Sequence, residues 1–161
     1  MTSERTLVVL RHGKSDWSGG EPDLDRPLAD RGRRQVPRAG RWLAARLPGI
    51  DLVVVSPAAR ARATWELVAA ELHESPEVIV DDRLYAASGD SLMRLVRGWP
   101  DELHRVVLVG HNPGLEDLVE TFAQRWVPMP TSALAVLEID GPWSSAGPET
   151  AELTESGRPP T

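Results

Sequence analysis

At 161 residues, with 41% hydrophobic and 26% charged side chains, the chain has the length of one core and the composition of a folded rather than a disordered protein. Its formal charge of -6 argues against nonspecific binding to nucleic acid or to an anionic membrane, both of which need cationic surface. The lack of cysteine removes disulfides, thiolate metal sites and cysteine nucleophiles, and no run approaches the roughly 18 apolar residues that span a bilayer.

Met1-Thr2-Ser3-Glu4-Arg5 has no signal-peptide pattern, so a cytoplasmic protein is expected, with one domain over residues 1–161. Thr6 to Leu10 is the first of five short aliphatic runs that read as strands, and its lack of polar alternation predicts cover on both faces. Arg11-His12-Gly13-Lys14 follows directly. Ser15 to Asp25 is then a polar, glycine-rich and acidic loop, longer than most connections and of the kind that overlies functional sites. From about Arg33 to Leu47, Val36, Gly40, Leu43 and Leu47 recur at helical spacing, and Pro37 predicts that this helix starts near it or bends there.

Leu52 to Val55 is the second strand. Ser56-Pro57 is expected to cap the helix that carries Ala61, Trp65, Val68 and Leu72. Val78 to Val80 and Val106 to Val109 read as strands, with a short helix from Ser91 to Arg97 between them. A further helix from Gly114 to about Trp126 buries Leu115, Leu118, Val119 and Phe122, and Ala133 to Ile139 is the fifth strand. The stretch from about 140 to 161 reads as a tail, with Ala151 to Glu155 as a marginal edge strand. The alternation predicts an α/β fold, a three-layer sandwich with a mainly parallel sheet between helices.

Arg11-His12, Ser56-Pro57-Ala58-Ala59-Arg60 and Gly110-His111-Asn112-Pro113-Gly114 all follow predicted strands. Carboxyl ends of parallel strands share one sheet edge, where ligands bind, so His12, His111, Arg11 and Arg60 are expected to converge. Arginine offers fixed planar donors for phosphate oxygens, and neutral imidazole is a competent nucleophile toward phosphorus without a metal. His12 could attack in line to form a phosphoenzyme that water resolves, while His111 and the arginines stabilise the equatorial oxygens.

In order and spacing, Leu10-Arg11-His12-Gly13, Ser56-Pro57-x-x-Arg60-Ala61-x-x-Thr64 and Gly110-His111-Asn112-Pro113 resemble the three signatures of the histidine phosphatase superfamily. Arg26-Pro27-Leu28 before Arg31-Gly32, with Leu84-Tyr85, is similar to its SixA-type phosphohistidine phosphatase branch. The resemblance runs from about Leu7 to Ile139. It implies a phosphoglycerate-mutase-like fold, His12 as nucleophile, Arg11 and Arg60 as phosphate clamps and His111 as the second phosphate-contacting histidine, with no cofactor and no metal. It also implies Arg26 as a substrate contact near the entrance, with Asn112 a further substrate-binding candidate. Lys14 either contacts phosphate or simply sits in the loop.

One departure bears on the leaving group. Many superfamily members carry a glutamate two residues after the leucine equivalent to Leu84, where this chain has Ala86. A phosphoramidate such as phosphohistidine needs such an acid less than an alkyl phosphate does, because its other ring nitrogen can already carry a proton. Asp16, Asp82 and Tyr85 are the available substitutes. The acidic cluster Glu21, Asp23 and Asp25 lacks the spacing of a calcium loop and reads as solvated. His73, His104 and Arg62 read as surface residues, and most of the tryptophans as packing.

The resulting expectation is a metal-independent phosphatase with a phosphohistidine intermediate on His12, acting on protein phosphohistidine such as that of a histidine-containing phosphotransfer domain. It is expected to be a monomer or weak oligomer without nucleic-acid or membrane partners. The alternatives are a phosphomonoesterase for a small phosphorylated metabolite, and a non-catalytic phosphate- or phosphopeptide-binding module.

Overall fold

In the computed structural model, which describes residues 4–160, the first aliphatic run becomes a central strand, β1 (Arg5–Arg11). On one side of β1 the sheet continues parallel, through β4 (Arg105–Gly110), β2 (Leu52–Val55) and β3 (Glu77–Val80). On the other side β5 (Leu134–Ile139) and β6 (Ala151–Gly157) are antiparallel to their neighbours, giving a six-stranded mixed sheet of order β3-β2-β4-β1-β5-β6.

Helices α1 (Asp30–Arg46) and α2 (Ala59–Ala69) cover one face, and α3 (Gly89–Arg97) and α4 (Gly114–Ala123) the other. Val8, Leu10, Val53, Val55, Val107 and Val109 pack with Val36, Leu43, Trp65 and Val68 of α1 and α2. Their strand neighbours Leu7, Val9, Val54, Val106 and Leu108 pack with Leu92, Leu115, Leu118 and Phe122 of α3 and α4. Burial from both sides is why these strands are aliphatic throughout, each large side chain contributing about 1.5–3 kcal/mol. Among the described residues no helix is long and apolar enough to cross a membrane.

The stretch expected as a tail instead buries Trp143 in the core and supplies β6 as the edge strand of the sheet, which runs on to Gly157. Helix boundaries differ as well. Helix α1 begins at Asp30, so Pro37 lies inside it. Burial of Gly32 and Val36 on the early turns outweighs the one hydrogen bond that Pro37 cannot donate, and Gly32 packs so closely on the Lys14 backbone that a Cβ would overlap it. Helix α2 begins at Ala59 with Ala58 at its N-cap, so Ser56-Pro57 is not its cap. Ser56 instead stays at the end of β2, fully buried. Helix α4 ends at Ala123, short of Trp126, where Gln124 turns left-handed at φ 58°.

Candidate active site

The pairing of β1 with β4 sets Arg11 opposite Gly110, which brings the residues that follow each strand side by side. His12 N–H donates to the Gly110 carbonyl at 3.2 Å, and the His12 and His111 rings lie 5.0 Å apart between centroids, tilted by 55°. Ser56 at the neighbouring end of β2 and Arg60 in the first turn of α2 complete the edge.

His12 is 7% exposed, and its Nδ1 lies 2.7 Å from the Gly13 carbonyl. A carbonyl only accepts, so Nδ1 carries the hydrogen and the lone pair is on Nε2. The Gly13 amide donates to Thr64 Oγ1 at 3.0 Å, and that hydroxyl donates to the Arg60 carbonyl at 2.7 Å. Thr64 therefore ties the His12 loop to the helix that carries Arg60. Burial pushes the His12 imidazole down to about 3, with the nearby His111, Arg60 and Arg11 adding to the shift against the Gly13 hydrogen bond. The ring is neutral at neutral pH.

His111 Nε2 lies 2.7 Å from Ser56 Oγ, and that oxygen accepts from the Ala58 amide at 3.2 Å. The fully buried Ser56 hydroxyl has the His111 ring as its hydrogen-bond acceptor, which places the His111 hydrogen on Nδ1. Burial first, and then the Arg60 charge, lowers the His111 imidazole to about 4.

Arg11 donates through Nη1 to the Met129 carbonyl at 3.0 Å. Arg60, 6% exposed, donates through Nη1 to the Asp23 carbonyl at 2.7 Å and through Nη2 to Asp23 Oδ2 at 3.1 Å. Arg26 is buried, bonds Ser15 Oγ and Asp23 Oδ1, and lies 3.5 Å under the ring of Trp17. Most of the buried side-chain polar atoms without a protein partner belong to this group: Nε of Arg11, Arg26 and Arg60, Nδ1 of His111 and Oδ1 of Asn112. All but the Asn112 oxygen are nitrogens that can donate, and with the charges of three guanidinium groups they make the edge electropositive in a chain of net charge -6.

A cleft of about 560 Å³ opens from this edge, lined by Arg60, His111, Asn112, Asp23, Tyr85 and Ala86 among others. Asn112 turns its amide to Glu116 and to the Met129 carbonyl, the latter at 2.8 Å. Of the expected site residues, Arg60, His111 and Asn112 line the cleft, whereas His12, Arg11, Arg26 and Lys14 are not among its lining residues; Lys14 is exposed, and Asp16 is turned to Ser18. Of the residues considered as substitutes for an acid, Tyr85 alone lines the cleft, its ring edge-on to His111 at 5.8 Å. Its hydroxyl donates to Asp23 Oδ2 at 2.5 Å, a bond that raises the phenol above its ordinary range.

Asp23 was legible only as part of a solvated acidic stretch. The signal that could have marked it is its place three residues before Arg26, in a loop long enough to reach the edge. Trp17 and Trp126, at 71% and 62% exposed, are not packing residues, whereas Trp65 and Trp143 are buried. Among the described residues no group of three or more His, Cys, Asp or Glu is placed to hold a metal ion. The arrangement can hold a phosphoryl group against a neutral nitrogen lone pair while guanidinium and imidazole N–H groups meet its oxygens.

The family profile of the histidine phosphatase superfamily (branch 1) matches residues 7–95. An uncharacterized protein of Mycobacterium tuberculosis (strain ATCC 25618 / H37Rv) is 34% identical over 158 residues, covering 89% of this chain and 96% of that one. A 2,3-bisphosphoglycerate-dependent phosphoglycerate mutase of Beijerinckia indica is 30% identical over 153 residues, covering 86% of this chain and 72% of the mutase. Among solved structures, a protein assigned as phosphohistidine phosphatase SixA of Nakamurella multipartitia superposes with a TM-score of 0.85 at 29% identity, covering 96% of each chain. A protein histidine phosphatase SixA complexed with tungstate shares the fold, with a TM-score of 0.82 at 23% identity over 96% of this chain and 97% of that one.

Proposed function

The chain belongs to the histidine phosphatase superfamily (branch 1) and is a phosphatase, and we propose that it removes the phosphoryl group from phosphohistidine on a protein through a covalent intermediate on His12, without a metal. The observation that carries this reading is the tautomer of His12. With Nδ1–H committed to the Gly13 carbonyl, the Nε2 lone pair is the ring's reactive position.

In the first step His12 Nε2 bonds to phosphorus as the bond from phosphorus to the leaving nitrogen breaks, and the electron pair goes to that nitrogen. When the other nitrogen of the substrate imidazole already carries a proton, neutral imidazole departs and no acid is needed. That suits a cleft with Ala86 on its wall. Arg11, Arg60 and the Nδ1–H of His111 are assigned to the phosphoryl oxygens, and Arg26 to charge near the entrance. In the second step the oxygen of water bonds to phosphorus as the bond to His12 Nε2 breaks; the electron pair returns to Nε2, and both water hydrogens leave with inorganic phosphate. The likeness to the Nakamurella protein at 29% identity supports this substrate class.

A second reading, hydrolysis of a small phosphate monoester, is favoured by the 30% identity to the Beijerinckia mutase. Chelator-treated protein incubated with protein phosphohistidine, phosphoramidate and p-nitrophenyl phosphate separates the two. Release from the first two in large preference to the ester is expected, and preference for the ester would reverse the ranking. Loss of activity on chelation would sink the metal-free mechanism. Brief mixing with labelled substrate should leave acid-labile, base-stable phosphate on the wild type and none on His12→Ala. Release of phosphate from none of the three would favour a binding module.

A further inference from the structure

Asp23 stands on a single 3-10 turn, Asp23–Asp25, in the loop between β1 and α1, and it brings a negative charge to a site built for anions. Its backbone oxygen and its Oδ2 receive the two terminal nitrogens of Arg60, at 2.7 and 3.1 Å. Its Oδ1 receives Arg26 Nη2 at 2.8 Å, and Oδ2 also receives the Tyr85 hydroxyl at 2.5 Å. One residue thus bridges the loop, α2 and the segment before α3.

A carboxylate on such an arginine either competes with the phosphoryl group for the guanidinium or holds the guanidinium ready for it. The donor count favours the second. Arginine has five N–H groups in a rigid plane. Asp23 takes one from each terminal nitrogen, gripping the guanidinium end-on. The side-on fork, Nε–H with a terminal N–H, is the pair that matches two oxygens of a phosphoryl group. Arg60 Nε is buried and has no protein acceptor, so the fork is not consumed by the grip. Asp23 also lies between Arg26 and Arg60, which would otherwise repel one another.

The geometry points to Asp23 as a positioning residue that fixes Arg60 end-on, so that its side-on fork faces the phosphoryl oxygens, and thereby strengthens anion binding although it is itself an anion. This rests on the assignment of Arg60 to the phosphoryl group. The Tyr85 and Arg26 hydrogen bonds hold the Asp23 carboxyl well below the usual carboxylate range, so the grip persists over the working pH range. Through the same carboxylate, Tyr85 is held with its ring nearly perpendicular to that of His111.

The test is calorimetric binding of inorganic tungstate to the full chain, with kcat and KM on phosphoramidate beside it. Wild type, Asp23→Asn and Asp23→Ala are compared, each alone and combined with Arg60→Gln, and the fold is checked by unfolding midpoint. Asp23→Ala should weaken tungstate about tenfold or more, the effect of losing one charge-assisted hydrogen bond, with Asp23→Asn in between. In the Arg60→Gln background the same change should cost less than about twofold, because two residues acting through one contact are not additive. Tyr85→Phe leaves both Arg60 bonds in place and should change tungstate affinity by less than about threefold, on the scale of a neutral hydrogen bond.

Tighter tungstate binding by Asp23→Ala would show a competitor and overturn the inference. So would losses that simply add in the double variants, since general damage to the loop behaves that way, and so would unchanged affinity. Wild type that binds tungstate but hydrolyses nothing would remove the proposed reaction and leave the Asp23 result standing. Wild type that binds no tungstate would overturn both.

Discussion

Replacing Thr64 with valine removes a hydroxyl and keeps the shape of the side chain, at a position with no solvent exposure. In the native chain Oγ1 accepts from the Gly13 amide at 3.0 Å and donates to the Arg60 carbonyl at 2.7 Å. Arg60 lies in a helix, where its carbonyl has a further acceptor role, so the loss falls on the Gly13 amide. A buried N–H left unpaired costs about 1–3 kcal/mol, and with no cavity created this is the whole expected destabilisation. For a chain of this length each kcal/mol lowers Tm by about 2–4 °C, so a fall of roughly 2–12 °C is expected. Activity should fall further than stability explains, because Gly13, whose carbonyl orients His12, loses the anchor on its amide; about tenfold in kcat corresponds to a further 1.4 kcal/mol. Thr64→Ser is the control, losing a methyl group but keeping the bond. Denaturant unfolding and steady-state hydrolysis of phosphoramidate should show both variants destabilised and only the valine variant slow. Equal loss of kcat in the two would mean that shape at this position matters and the hydroxyl does not, which would refute the reasoning.

With His12 lowered to about 3 and His111 to about 4, the acid limb of kcat/KM, corrected for ionisation of the substrate, should lie below pH 5; a limb near pH 6.5 would contradict a buried neutral nucleophile. The same shifts bear on stability. An unfolded histidine takes up a proton near pH 6.5 and these folded ones do not, so stability should fall as pH drops from about 6.5 toward 4 and 3, by at most about 2 kcal/mol per ring at pH 5. Urea midpoints of wild type and His12→Asn across that range check the sign, since the variant should lose less on acidification. Gly114→Ala places a Cβ against the Ala87 carbonyl, so the backbone beside Ala86 must shift. A loss of about 1–3 kcal/mol is expected, as for other overpacked sites, together with a raised KM, and a variant as stable as wild type would show that the segment yields freely.

Much of the fold was legible because β1, β2 and β4 are covered on both faces, and that burial leaves uninterrupted aliphatic runs. The convergence of His12, Arg60 and His111 was legible for a related reason, since each follows a parallel strand and carboxyl ends of parallel strands share an edge. What stayed hidden depends on tertiary partners. Ser56 has the local look of a helix cap, and only the fold reveals that its hydroxyl meets His111. Asp23 is surrounded in sequence by acids and glycines, and besides the nearby Arg26 its side-chain partners come from α2 and the segment after β3. Pro37 carries a strong local signal against a helix, overridden by burial on either side of it. Strand β6 is mostly exposed, so no apolar pattern marks it clearly.

The direction of β6 has a practical consequence. Gly157 pairs with Leu134, which pairs with Leu10, so the carboxyl end of β6 emerges at the same rim as His12. Arg158, just beyond it, donates to the Thr131 carbonyl at 2.8 Å and is near enough to disfavour the charge on Arg11. Arg5, at the start of β1, lies at the opposite rim. An affinity handle or fluorescent fusion placed after β6 would therefore crowd the rim that carries His12 and Arg11, where the proposed protein substrate would dock, whereas one placed ahead of β1 would start from the opposite rim.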